Sequence, residues 1–197
     1  MDGPLDKTAK RPRADALRNR ERVLEAAKLV FNAGGPEASL EAVARRAEVG
    51  IGTLYRHFPT REALFEAVYR REVQQLVELV DQLSAELPPV EALRRWLRAN
   101  VELVATKKGM ATALAVAARA PPALMAFSVE NLTRAMDTLL SRSIAAGQIR
   151  SDITAEDMLR AMIGLCYTHS DPGWQTNVFR LVDVLVDGLL LRPDSAA

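Results

Sequence analysis

Cysteine is nearly absent from this chain of 197 residues. Cys166 stands alone, so no disulfide can form within the chain, and a reducing compartment is the expected setting. Histidine is almost as scarce, with only His57 and His169. So few soft ligands leave no His/Cys spacing for a metal site, and no Gly-rich phosphate loop or Ser nucleophile motif stands in for one. Cys166 and His169 are three apart on one predicted helix face and form the one pair that could act as nucleophile and base. Each has a plainer reading: Cys166 as a small buried apolar residue, His169 as a C-terminal helix residue favoured by the dipole. Neither an enzyme nor a cofactor is expected.

Long apolar runs are missing too. No segment reaches the roughly 18 uninterrupted apolar residues of a membrane span. The opening MDGPLDKTAKRPRAD lacks the apolar centre of a signal peptide, so a cytoplasmic protein with no membrane partner is expected. Strand-like alternation and internal repeats are absent as well. Net charge is only +1, but it is unevenly spread: residues 1–61 carry 12 basic and 8 acidic side chains, and the remainder is net negative. A basic N-terminal third on a neutral chain suits a local nucleic-acid footprint.

What the chain has is helical periodicity. Apolar residues recur at i, i+3, i+4 and i+7 through most of its length, and about nine helices are predicted. The first runs from Asp15 to Ala33, closed by Gly34-Gly35-Pro36. The last runs from Trp174 to Leu191. Between them, Lys107-Lys108-Gly109 reads as a turn that separates a helix ending near Thr106 from a short one starting at Met110. The expected fold is all-α, with three divisions: a basic flexible arm over 1–14, a compact head over 15–60, and a longer helical body over 61–197.

The most informative stretch is Ser39–Phe58, SLEAVARRAEVGIGTLYRHF. Leu40, Val43, Ala44 and Ala47 make the first helix amphipathic, and Ser39 stands where its hydroxyl can cap the first turn. Glu48-Val49-Gly50 breaks the pattern, and a second short helix follows. Two short helices joined so tightly must cross steeply, as in a helix-turn-helix. The second helix buries Val49, Leu54 and Phe58 and turns Gly52, Thr53, Tyr55, Arg56 and His57 outward. That small, polar, aromatic and basic face suits phosphates and a major groove.

Gly52-Thr53-Leu54-Tyr55-Arg56-His57-Phe58, followed by Pro59-Thr60-Arg61-Glu62-Ala63-Leu64, resembles the TetR family of bacterial transcription regulators, whose core pattern is G-T-x-Y-x-H-F. Ala146-Gly147-Gln148-Ile149-Arg150-Ser151-Asp152-Ile153 resembles a second family turn. Two positions depart from the pattern: Glu48 where the turn usually has Gly, and Gly50 where a capping Ser is common. The resemblance implies a homodimeric, ligand-responsive repressor on a palindromic double-stranded DNA operator, with 15–60 as its DNA-binding domain and 61–197 as its regulatory body. A helical ligand- or partner-binding protein whose head no longer binds DNA is the alternative that Glu48 and Gly50 leave open.

Side-chain chemistry assigns the parts. Ser39, Thr53, Tyr55, His57 and Arg61 suit phosphate oxygens, and Gly52 admits close backbone approach. Arg56 could read a guanine edge and Ile51 a thymine methyl. Arg45 is a further candidate, and Arg11 and Arg13 could reach DNA from the arm. In the body, Trp96, Asn100, Leu103, Met110, Met125, Phe127, Met136, Met162 and Cys166 could line a cavity for an unknown small-molecule effector, although each reads more simply as core. Aromatics make up only 5% of the chain, which weighs against a large planar-drug site. Met158, Val178, Leu181, Val182, Leu185 and Leu189 are the expected dimer interface, with paired helices packed around a two-fold axis.

Overall fold

The computed structural model describes residues 10–33, 38–113, 121–168, 171 and 173–191. His169 and Gly34-Gly35-Pro36 lie outside the described residues. Among the described residues eight helices follow one another: α1 (Lys10–Ala33), α2 (Leu40–Arg46), α3 (Ile51–His57), α4 (Arg61–Glu86), α5 (Pro89–Ala113), α6 (Pro122–Ala145), α7 (Ala155–Tyr167) and α8 (Trp174–Asp187). Among the described residues the one extended pairing is a bridge between Ile149 and Leu190. Arg150 N–H donates to Leu189 C=O at 2.9 Å there, and Leu191 N–H donates to Gln148 C=O at 3.0 Å.

Eight helices replace nine because the expected break at Lys107-Lys108-Gly109 does not occur. α5 runs through all three residues. A Cβ built on Gly109 would run into the backbone carbonyl oxygen of Phe31 in α1. Glycine is needed here for close helix–helix approach, not for a turn. The start of α1 also differs from expectation. Helix begins at Lys10 instead of Asp15, so residues 10–14 are helical where an arm was expected.

The chain divides into two compact units, Met1–Val68 with Lys108–Ala118, and Tyr69–Lys107 with Arg119–Ala197. The first is built on Val23, Leu24, Ala27 and Phe31 of α1, which meet Leu40, Val43 and Ala44 of α2, Leu54 of α3, and Phe58. The second is built on α4 from Tyr69 onward, α5 as far as Lys107, and α6 to α8, with Leu76, Leu93, Trp96, Leu97, Met136, Leu139, Met158 and Val182 buried. Trp96 Nε1 donates to the Leu76 carbonyl at 2.8 Å, which satisfies its one polar atom inside the apolar layer. Arg94 and Arg98 of α5 both grip Asp183 of α8, at 3.2 and 2.5 Å. Thr154 and Asp157 form a reciprocal capping box at the start of α7.

Candidate nucleic-acid interface

The helix-turn-helix is closed by backbone hydrogen bonds. Ser39 takes extended geometry, and its Oγ accepts from Ala42 N–H at 3.1 Å, capping α2. That leaves the hydroxyl proton for an outside acceptor such as a phosphate oxygen. At the other end of α2, Glu48 N–H donates to Arg45 C=O at 3.1 Å and Val49 N–H to Ala44 C=O at 3.0 Å. This pair of bonds is the Schellman motif, which requires a left-handed residue between them. Glu48 supplies it, at φ 53°. The same motif ends α6, where Gly147 takes the left-handed place at φ 66°.

α3 then starts from Gly50, which offers no side-chain cap. Leu54 and Phe58 anchor the helix in the core, while Val49, expected to be buried, is half-buried. Ile51, Gly52, Tyr55 and Arg56 are exposed, and Thr53 and His57 are half-buried. Nothing inside the chain lies within 4 Å of a Cβ built on Gly52. No internal packing therefore demands glycine there, and the open space faces outward.

Arg56 does not extend into solvent. Its guanidinium folds back along α3, with Nη2 donating to Thr53 Oγ1 at 3.1 Å and Nε to the Gly52 carbonyl at 3.3 Å. Arg56, Thr53 and Gly52 thus form one hydrogen-bonded group on the outer face. His57 sits in a shallow groove with Ala16, Leu17 and Arg20 of α1. The Arg20 guanidinium lies 5.4 Å from the centre of the Phe58 ring. Sequence reading did not associate Arg20 with His57, because no periodicity relates a residue of α1 to the end of α3. Thr60 Oγ accepts from Ala63 N–H at 3.0 Å and caps α4 just before exposed Arg61. Arg45 and its neighbour Arg46 are exposed at the end of α2. The side chains of Arg11 and Arg13 lie outside the described residues.

The expected pocket residues separate. Met110 belongs to the first unit, and the others to the second. Trp96, Leu103, Met136, Met162 and Cys166 are buried, with Cys166 Sγ 3.7 Å from Met162 Sδ. Met125 is partly exposed, and Phe127 lies under the Arg70 guanidinium at 4.8 Å. Asn100 is only 1% exposed and its Nδ2 has no hydrogen-bond partner among the described residues.

The expected dimer residues differ in exposure. Met158, Val178, Val182 and Leu189 are buried within the single chain, at 4% exposure or less, and are core. Leu185 is half-buried, and of the six only Leu181 is exposed. The large apolar side chains that α7 and α8 expose are Ile163, Tyr167, Leu181 and Val184. Any one of several helix faces can satisfy an apolar period, and which neighbour covers it is decided only in the fold.

Residues 23–68 match the profile described as bacterial regulatory proteins, tetR family, and residues 88–191 the profile of the transcriptional regulator SbtR-like C-terminal domain. A TetR transcriptional regulator of Streptomyces coelicolor, SCO0520, shares 44% identity, with 89% of this chain and 99% of that one covered, at a TM-score of 0.73. A TetR regulatory protein of Mycobacterium vanbaalenii shares 34% identity, covering 91% and 99%, at a TM-score of 0.67. The transcriptional repressor KstR of Mycolicibacterium smegmatis is 30% identical over 142 residues, 68% of this chain. The alignments span 66% of that repressor and 61% of its Mycobacterium tuberculosis counterpart.

Proposed function

The chain belongs to the TetR family of bacterial regulatory proteins, and from that premise we propose that it is a DNA-binding transcription regulator, a repressor, released from its operator by a small molecule. The observation that carries this is the outer face of α3. Exposed Ile51, Tyr55 and Arg56 flank a glycine that nothing inside the chain requires. Tyr55, Thr53, His57, Ser39 and Arg61 hold phosphates, and Arg56 with Ile51 reads base edges. KstR, the relative named above, is a repressor, which supports the sign of regulation.

The protein acts as a homodimer. Ile163 and Tyr167 of α7 and Leu181 and Val184 of α8 leave an apolar surface that a second copy would cover. Gly164, with nothing within 4 Å of a Cβ built on it, leaves room for a partner helix. Two-fold symmetry then calls for a palindromic operator with half-sites about 34–36 Å apart. The effector binds the body, and α4, whose residues belong to both units, carries the response. A ligand shifts DNA affinity only by its differential affinity for two shapes, typically about 1–3 kcal/mol.

The test is a gel shift on the DNA upstream of the chain's own coding sequence, at several salt concentrations, against random duplex. Binding that prefers the upstream DNA and falls linearly with log salt is expected. Equal, weak binding to both duplexes would instead favour a ligand-binding protein with a silent head.

A further inference from the structure

We infer that the second unit takes an apolar molecule bearing a carboxylate, and that the carboxylate pairs with the Lys107 ammonium. This rests on the proposal that the body binds an effector, and it names that effector's chemical class.

Lys107 is a half-buried cation whose described contacts are all soft. Its Nζ is 3.8 Å from Met125 Sδ of α6 and 5.3 Å from the centre of the Tyr69 ring of α4. No carboxylate lies within ion-pair distance of it among the described residues. Arg94 and Arg98 on the same helix are differently placed: Arg94 holds Asp183 and Asp187, and Arg98 holds Asp183. Burial pushes the Lys107 amine below its ordinary pKa, which is the mark of a charge removed from water without compensation. Neighbouring groups do not supply the missing anion. Tyr69 has its own pKa pushed up by burial and its hydroxyl hydrogen-bonded to Ser128, so it stays neutral. The first turn of α6 has no acidic residue.

A thioether is a weak acceptor, and a carboxylate in its place would make a charge-assisted hydrogen bond. Met125 is 36% exposed and flexible, so it can yield to an entering ligand. The ligand's apolar part would follow the stripe of α5 that carries Lys107, past Val104 and Leu103. Asn100 stands at the end of that stripe, seven residues and about 10 Å from Lys107. Its buried, unpartnered Nδ2 would donate to a hydroxyl or carbonyl oxygen on the ligand. Tyr69 and Lys107 are also the residues at which the chain crosses between its two units. An anion held here therefore acts on α4 and α5 together.

The experiment is calorimetry of the full chain with decanoate, decanol and 10-hydroxydecanoate. Wild type is expected to bind decanoate at least tenfold more tightly than decanol, and the hydroxy acid more tightly still. Lys107→Met should erase the preference for the acid, and Lys107→Arg should keep it. Asn100→Leu should erase only the gain from the hydroxyl. Without ligand, Lys107→Met should melt higher than wild type, because an uncompensated charge has been removed. Absence of decanoate binding, equal binding of acid and alcohol, or a Lys107→Met variant that keeps the preference would overturn the inference. So would a lower melting temperature for Lys107→Met, which marks the lysine as a structural ring partner. Operator titrations run alongside separate the two proposals. Operator binding by a protein indifferent to decanoate defeats the carboxylate site alone; decanoate binding by a protein without operator affinity defeats the regulator.

Discussion

The Arg22 guanidinium donates to the Glu48 carboxylate at 2.6 Å, joining α1 to the turn of the helix-turn-helix across 26 residues of chain. Glu48 occupies a left-handed place that glycine fills at the matching end of α6. The ion pair therefore holds a residue whose backbone alone would resist the turn. A non-Gly residue in this region costs about 1–2 kcal/mol. An exposed ion pair returns about 0–1 kcal/mol.

Those magnitudes set the first prediction. Glu48→Gly should leave the first unit as stable as wild type or more stable by up to about 1 kcal/mol. Arg22→Ala should cost less than about 1 kcal/mol. Urea melts of the two single variants and the double variant measure the coupling. A Glu48→Gly protein destabilised by several kcal/mol would show that the turn depends on the carboxylate.

On the outer face of α3, Tyr55→Phe and His57→Ala should weaken specific and random DNA to similar extents, because these groups position the helix. Arg56→Ala should flatten the preference at one base pair, at about 1–3 kcal/mol. Its guanidinium must leave Thr53 and Gly52 to reach a base, so Thr53→Val should change the preference in which Arg56 takes part. A sequence preference unchanged in Arg56→Ala would remove the arginine from base reading. The measurement is a binding-site selection with each variant.

Gly109 has no slack. Gly109→Ala sets a methyl against the Phe31 backbone carbonyl, which cannot rotate away as a side chain could. Overpacking of this kind costs about 1–3 kcal/mol. Gly52→Ala meets open space and should leave stability nearly unchanged while weakening DNA binding. Thermal melts and gel shifts on the two variants separate a packing glycine from an interface glycine.

On α8, neighbouring valines should behave oppositely. Val182 is fully buried, so Val182→Glu should unfold the second unit. Val184 is 67% exposed, so Val184→Glu should fold and sediment as a monomer with lost operator affinity. Dimers that persist in Val184→Glu would move the interface elsewhere.

Most of the fold was legible because its signals are local. Ser39 and Thr60 cap the helices they precede, Gly147 takes a left-handed place at the end of α6, and the α2–α3 break falls at Glu48. Each depends on hydrogen bonds and dihedral angles within a few residues, which residue type governs directly. The outward set on α3 was legible for the same reason, since Leu54 and Phe58 fix which side of a seven-residue helix is inside.

Gly109 marks where local reading stops. Glycine beside two lysines looks like a turn, yet α5 continues because a helix from elsewhere in the chain needs the space its side chain would fill. The apolar stripes of α7 and α8 pose the same difficulty. Periodicity places Val178, Val182 and Met158 on apolar faces, but only packing shows that their own chain covers them and leaves Val184 and Ile163 outside. The sequence alone determined the family, the helical class and the outer face of α3, because those follow from contacts between near neighbours in the chain. Only the tertiary structure decided the Arg22–Glu48 pair, the uncompensated Lys107 and the exposed strip of α7 and α8. Each of these turns on which distant residues meet, and no period in the sequence encodes that.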